Sequence, residues 1–229
     1  SIILATEEAP VSFQTLPIDR KNILTSDEFL DIKELPTSLV IVGGGYIGCE
    51  FASIFSALGC RVTLLEQLPR LLFRSDRQAV REVEKGLKAN SVDLRTGVEV
   101  LSSTLNAEGV ALILSSGETL QAHKVLVAVG RRPRIDGLGL ESAGVKVDDG
   151  AIRVDEGMRT SVHGVYAIGD VTGGIQLAHV ASHQAEVAVE NILGGDVAVD
   201  YRVVPSCVFT SPEIAQVGLT EEECKAAAM

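Results

Sequence analysis

The chain has 229 residues, 46% of them apolar and only 4% aromatic, with no Trp. That is enough for one large domain or two ordinary ones, with a core of Val, Ile, Leu and Ala. The 31 acidic residues outweigh 20 basic ones, for a net charge of -11. This argues against nucleic acid or an anionic membrane as a general partner, and no apolar run is long enough to span a bilayer.

In chain order, residues 1–6 read as a strand leaving a sheet. The first residue is Ser rather than Met, so the chain reads as a piece of a longer protein. Residues 25–35 open with cap residues and acids, as a short helix does, and Pro36 ends it. Residues 39–42 form an apolar run, followed by Gly43, Gly44, Gly45 and Gly48 and then by helical spacing to Leu58. A β-rich run from Arg61 closes on Glu66. Asp76 to Asn90 predicts a second, amphipathic helix, and Val92 to Val100 a strand region. Residues 110–114 and 119–122 predict a hairpin about Gly117, and 124–130 another buried strand. After the basic group Arg131, Arg132 and Arg134, of which Arg131 and Arg132 read as a solvated loop rather than a phosphate patch, comes a strand ending in Gly169-Asp170. Leu177 to Leu193 predicts a helix closed by Gly194. From Tyr201 the pattern is β again. Thr220 and Glu223 make a capping box for a last helix running out of the chain.

The strand, glycine turn, helix, strand and acid form a complete dinucleotide-binding unit; a bare glycine triplet also serves as an ordinary turn. Physically, Gly43 makes the tight turn and Gly45 lets the backbone approach a pyrophosphate. Gly48 lets the helix pack on the strand, and the helix N-terminus offers amides to the anion. Cys49, Cys60, Cys207 and Cys224 have no C-x-x-C or metal spacing. Cys49 and Cys207 fall where reduced core thiols sit, which predicts a cytoplasmic protein without disulfides or metal. His123, His163 and His183 read as surface or capping residues.

Five ordered motifs carry a family resemblance. They are the glycine loop, Val129-Gly130-Arg131-Arg132-Pro133, Tyr166-Ala167-Ile168-Gly169-Asp170-Val171, Leu177-Ala178-His179 and Val204-Pro205-Ser206. Together they resemble the pyridine nucleotide–disulfide oxidoreductases, nearest to the dihydrolipoyl dehydrogenase branch, over essentially the whole chain. The resemblance implies an α/β fold: a Rossmann-like NAD-binding domain with an appended β meander, the second half of an FAD-binding domain, and the start of an α+β interface domain. The implied boundaries are 1–10 for the end of the first FAD segment, 11–130 for the NAD domain, 131–200 for the second FAD segment and 201–229 for the dimerisation domain. The family's redox cysteine pair falls before Ser1 and its acid–base His-Glu pair after Met229, so the resemblance implies a chain inactive alone.

By the same resemblance, NAD is held by Gly43, Gly44, Gly45, Tyr46, Ile47, Gly48 and Glu50, with Val98 and Gly130 adding contacts. Glu66 accepts from the adenosine ribose and repels a 2′-phosphate. NADP-using relatives carry arginines where this chain has Gln67 and Phe73, which implies NAD, with Arg70 the one cation nearby. FAD is held by Thr6, by Asp170 at the ribityl chain and by Gln176, Leu177, Ala178 and His179 along the ring. Tyr46 is either a flavin-side gate for nicotinamide or a tyrosine packed at a helix start. Glu50 is either the partner of a flavin-side lysine or a solvated acid favoured by the helix dipole. Where the family reads Ala-Thr-Gly, with the glycine close to FAD, this chain reads Ala5-Thr6-Glu7. The implied partners are a second copy, as a homodimer, and the dihydrolipoyl-bearing acyltransferase subunit of a 2-oxo acid dehydrogenase complex. Glutathione- or mercuric-type reductases are the alternative within the family. A non-catalytic nucleotide-binding module is the alternative from another class.

Overall fold

The structure is a computed structural model that describes residues 1–228. Its chain forms two contact units: residues 1–11 with 131–204, and residues 12–130 with the segment from Pro205 onward. The elements in chain order begin with β1 (Ile2–Leu4) and β2 (Glu8–Pro10) of the first unit. The second unit then supplies β3 (Ile23–Leu24), α1 (Ser26–Phe29), β4 (Ser38–Val42), α2 (Tyr46–Ala57), β5 (Arg61–Glu66), α3 (Arg77–Ala89) and β6 (Asp93–Thr96). It continues with β7 (Val100–Asn106), β8 (Gly109–Leu114), β9 (Thr119–Ala122) and β10 (Lys124–Val127). The first unit resumes with β11 (Arg131–Pro133), α4 (Leu140–Ala143), β12 (Val147–Asp148), β13 (Ala151–Ile152), β14 (Val165–Ala167) and α5 (Ala178–Ile192). The second closes with β15 (Ser206–Val208), β16 (Ile214–Gln216) and α6 (Glu221–Ala226).

In the second unit a five-stranded parallel sheet runs in the order β3-β10-β4-β5-β6. Parallel strands need crossovers, and α2 and α3 supply them between β4, β5 and β6. Both faces of the sheet are covered, so successive side chains enter different cores. Leu39 and Ile41 of β4 join the helices in one cluster, while Val40 between them joins the other. That second cluster takes Val110, Leu112 and Leu114 from the antiparallel meander β7-β8-β9. The doubly covered sheet gives the expected α/β fold.

In the first unit β1 pairs in parallel with β14, and β2 pairs antiparallel with β11. Its two apolar clusters, around Ile152 with Val171 and around Met158 with Val187, contain residues of that unit alone. α5 has Leu177 and Leu193 as its caps, and Gly194 turns the chain away at φ 100°.

Four details differ from the sequence expectations. α1 ends at Phe29, because that ring is anchored edge-on to Phe51 and Phe55 while Leu30 faces solvent with nothing to pack on. α6 has its capping box at Thr220 and Glu223 but ends at Ala226; Met229 lies outside the described residues. Arg131 is in no solvated loop: it lies on β11, half-buried, and pairs with Glu8 at 2.5 Å. Cys207 is exposed, because β15 alternates and turns Val208 inward instead. Cys49 and Cys60 are buried as expected, and all four thiols are free.

Candidate functional site

Each glycine of the turn after β4 has its own reason. Gly43 sits at φ 113°, and a Cβ there would run into the carbonyl of Ala128. Gly48 has no room for a side chain either, because the carbonyl of Gly43 occupies that space and lets α2 lie against β4. Gly44 is buried, and a Cβ would meet Leu71 Cδ2 at 2.5 Å and Glu66 at 3.0 Å. Gly45 is different: nothing lies within 4 Å of where its side chain would be. Gly45 also N-caps α2 in an extended conformation with no side-chain cap bond. The start of this 12-residue helix is therefore open at Gly45, and its first-turn amides suit an anion.

Glu66 ends β5 beside this turn. One carboxylate oxygen accepts the Gly44 N–H at 2.6 Å and the other accepts the Leu68 N–H at 2.7 Å. Two amides thus orient the carboxylate, and a carboxylate has about four acceptor positions, so both oxygens can take further donors. Val98 is tied to the same place, its N–H bonded to the Glu66 carbonyl at 3.0 Å. Cys49, under the turn, bonds through its thiol to the Gly44 carbonyl; burial first, and then the nearby Glu66 and Glu50, push it up to about 12. It is therefore a thiol at neutral pH.

The loop after Glu66 was the least legible part of the site. Leu72 N–H bonds the Gly44 carbonyl at 2.8 Å, and Gly97 N–H bonds the Leu68 carbonyl at 3.0 Å. Arg70, expected near a nucleotide phosphate if anywhere, is engaged elsewhere. Its guanidinium donates to the carbonyls of Ser75 at 3.0 Å and Phe73 at 2.6 Å and to Glu222 at 2.8 Å. Arg74, which carries no motif, is the exposed cation of this loop.

At this same end of α2, Tyr46 is exposed at the first turn. Glu50 accepts the Phe209 N–H at 2.9 Å, and Ser53, one turn on, accepts the Ser211 N–H at 3.1 Å. Glu50 thus ties the chain just beyond β15 to α2. Separations above 150 residues left no local signal for these bonds.

The FAD-directed residues belong to the first unit. Thr6 donates to the Arg134 carbonyl at 2.6 Å. Asp170 lies in a 3-10 turn, Gly169–Thr172, just beyond β14, and its carboxyl accepts no hydrogen bond from any described residue. Burial raises its pKa, Arg131 opposes this, and Glu7 adds to it. Gln176, Ala178 and His179 are exposed at the start of α5, and Leu177, its N-cap, makes no side-chain cap bond. Glu7 takes φ 64°, in the left-handed region that favours glycine, and places a charged side chain there. Gly130 is exposed at φ 127° between β10 and β11. Among the described residues no cluster of His, Cys, Asp or Glu could hold a metal ion.

The family model described as pyridine nucleotide-disulphide oxidoreductase matches residues 1–185. The chain belongs to this family. A dihydrolipoyl dehydrogenase of Bacillus subtilis (strain 168) is 42% identical over 231 residues, covering 98% of this chain and 49% of the relative. One from Thermus scotoductus is 42% identical over 234 residues, with 99% and 50% covered. Among solved structures, LpdA from Mycobacterium tuberculosis superposes with a TM-score of 0.93 at 33% identity, over 99% of this chain and 50% of that one. The HOCl-induced flavoprotein disulfide reductase RclA from Escherichia coli does so with a TM-score of 0.92 at 33% identity, over 98% and 52%. The chain spans about half the length of the curated relatives it matches. No helix among the described residues is long and apolar enough to cross a membrane.

Proposed function

We propose that this chain carries the NAD site, and part of the FAD site, of a dihydrolipoyl dehydrogenase. The observation that carries the reading is the open amide cradle at Gly45 beside a carboxylate, Glu66, held ready by two backbone amides. In this reading the first turn of α2, with Gly43 to Gly48, binds the pyrophosphate, and Glu66 accepts from the adenosine ribose. Val98 and Gly130 add contacts, and Tyr46 and Glu50 face the nicotinamide end. A carboxylate at Glu66 repels a 2′-phosphate, and Arg70 is turned to protein carbonyls and Glu222, which supports NAD over NADP.

The Asp170 carboxyl, which accepts no hydrogen bond from any described residue, suits sugar hydroxyl donors, and the open start of α5 suits the electron-rich edge of a flavin. The FAD residues are Thr6, Asp170 and Gln176 to His179. When bound, FAD relays electrons from a dithiol and NAD⁺ accepts them as hydride. The chain's own part is to hold and orient the two. The segments 1–10 and 131–200 form the FAD part, 11–130 the NAD domain, and 201 onward the start of the dimerisation domain. The whole protein is a cytoplasmic homodimer serving the dihydrolipoyl-bearing acyltransferase subunit of a 2-oxo acid dehydrogenase complex. The names of the relatives support this substrate class.

Titration with NADH and NADPH, followed by cofactor fluorescence, tests the reading. NADH binds well below the concentration needed for NADPH. Glu66→Gln weakens NADH by about tenfold or more, the worth of a charge-assisted hydrogen bond. Equal affinity for both cofactors favours the reductase alternative that the likeness to RclA raises. No binding of either sinks the dinucleotide reading.

A further inference from the structure

Glu222, on α6, has no place in the dinucleotide site as described, yet it is joined to it by an unbroken series of contacts. One of its oxygens receives the Arg70 guanidinium at 2.8 Å and the other receives Arg77 Nε at 2.5 Å. Arg70 is only 17% exposed, lies 5.0 Å from the centre of the Phe73 ring, and buries its Nε without a partner among the described residues. The guanidinium gathers the carbonyls of Phe73 and Ser75, and so closes the loop after Glu66 on itself. That loop in turn bonds Gly44 through Leu72 and delivers the Leu68 amide to Glu66. A second contact seats the same helix: Asp76 caps α3 through the Gln78 N–H at 2.8 Å and also takes the Glu221 N–H at 3.1 Å.

We infer that Glu222 is a positioning residue for the adenosine end of the dinucleotide site, acting through Arg70 on the loop that orients Glu66. The inference rests on the reading of Gly43 to Glu66 as that site. A mostly buried guanidinium whose counter-charge is removed is strongly unfavourable and draws water to itself. With Glu222 neutral the guanidinium is drawn further toward solvent and away from the Phe73 and Ser75 carbonyls, and a loop loosened in this way withdraws the Leu68 amide from Glu66 and the Leu72 amide from Gly44. Ligands that carry adenosine ribose lose affinity, whether or not they carry nicotinamide.

The test uses this chain with NADH and with ADP-ribose as probes, by calorimetry, at a temperature where circular dichroism shows each variant folded. Glu222→Gln, which keeps the shape and removes the charge, weakens both probes by about fivefold or more and leaves their ratio unchanged. In an Arg70→Met background, which keeps the packing without the charge, Glu222→Gln has no further effect. Hydrogen exchange of the Leu72 amide quickens in Glu222→Gln, which a purely global loss of stability does not single out. Arg77→Gln leaves both affinities as they are, and it keeps the question open to measurement if Glu222→Gln does not fold. The inference is overturned if folded Glu222→Gln binds ADP-ribose like the parent, if its effect persists without Arg70, or if Arg77→Gln reproduces it. Failure of the parent chain to bind either probe removes the dinucleotide reading and this one with it. Normal binding by both parent and Glu222→Gln removes this one alone.

Discussion

Glu7 occupies the left-handed region at φ 64° where β1 gives way to β2, a conformation that costs an L side chain about 1 kcal/mol. It also brings a carboxylate into the field of Asp170, whose pKa is raised chiefly by burial and further by Glu7. A carboxyl raised in the folded state binds its proton more tightly there than in the unfolded chain. Its stabilising contribution is therefore complete in acid, below the ordinary carboxylate value, and is lost as pH rises through the raised one. Ionising Asp170 in the folded chain carries a cost that hydroxyl donors would relieve. Glu7→Gly should raise the melting temperature by the equivalent of a few tenths to about 1 kcal/mol, since the freer unfolded chain offsets part of the relief. It should also lower the Asp170 titration midpoint measured by NMR. Glu7→Gln should lower the midpoint without relieving the backbone. If neither variant moves the midpoint, Glu7 does not act on Asp170, and the conflict between this chain and a flavin site is one of shape alone.

At the scale of elements, α3 shows how a helix can be legible while its purpose is not. Its N-cap Asp76 and the apolar positions Val80, Val83 and Leu87 are a sequence-level signature, and the helix lies within one residue of its expected span. Gly86 within it reads from sequence as a weakness of about 1 kcal/mol relative to alanine. The structure reverses that sign, because a Cβ at Gly86 would collide with the carbonyl of Ser211. Gly86→Ala should destabilise the chain on thermal unfolding, since backbone overlap costs more than helix propensity returns. A stabilised variant would show that the segment after Pro205 is not seated on α3. The same contrast runs through the site. Strand, glycine turn, helix and acid are local, and their spacing announced them. The Glu50–Phe209, Asp76–Glu221 and Arg70–Glu222 contacts join residues more than 140 positions apart, and nothing in either local pattern anticipates the other. Cys207 failed for a related reason: an apolar run predicts a strand, but not which face of a two-stranded ribbon meets solvent.

At the scale of the whole chain, the apolar clusters divide as the contact units do. Leu39, Ile41, Leu64 and Val208 share one, Val40, Val110 and Val125 another, and all of these lie in the unit that holds Gly43 to Glu66. Asp170 and Thr6 lie in the other unit, whose two clusters draw on none of those residues. Cores that share no residues need not melt together, and chains of this kind depart from a single two-state transition. Calorimetry should accordingly give a total enthalpy larger than the van't Hoff value. Adding NADH at about a hundred times its Kd stabilises what it binds by about 2.7 kcal/mol, several degrees for a unit of this size. That shift should appear in one transition only. The Glu66→Gln variant, melted at the same NADH concentration, should show a smaller shift in that same transition. A single transition that NADH moves as a whole would mean that the two cores unfold as one, and that occupancy of the site beside Glu66 is felt by the segments carrying Asp170.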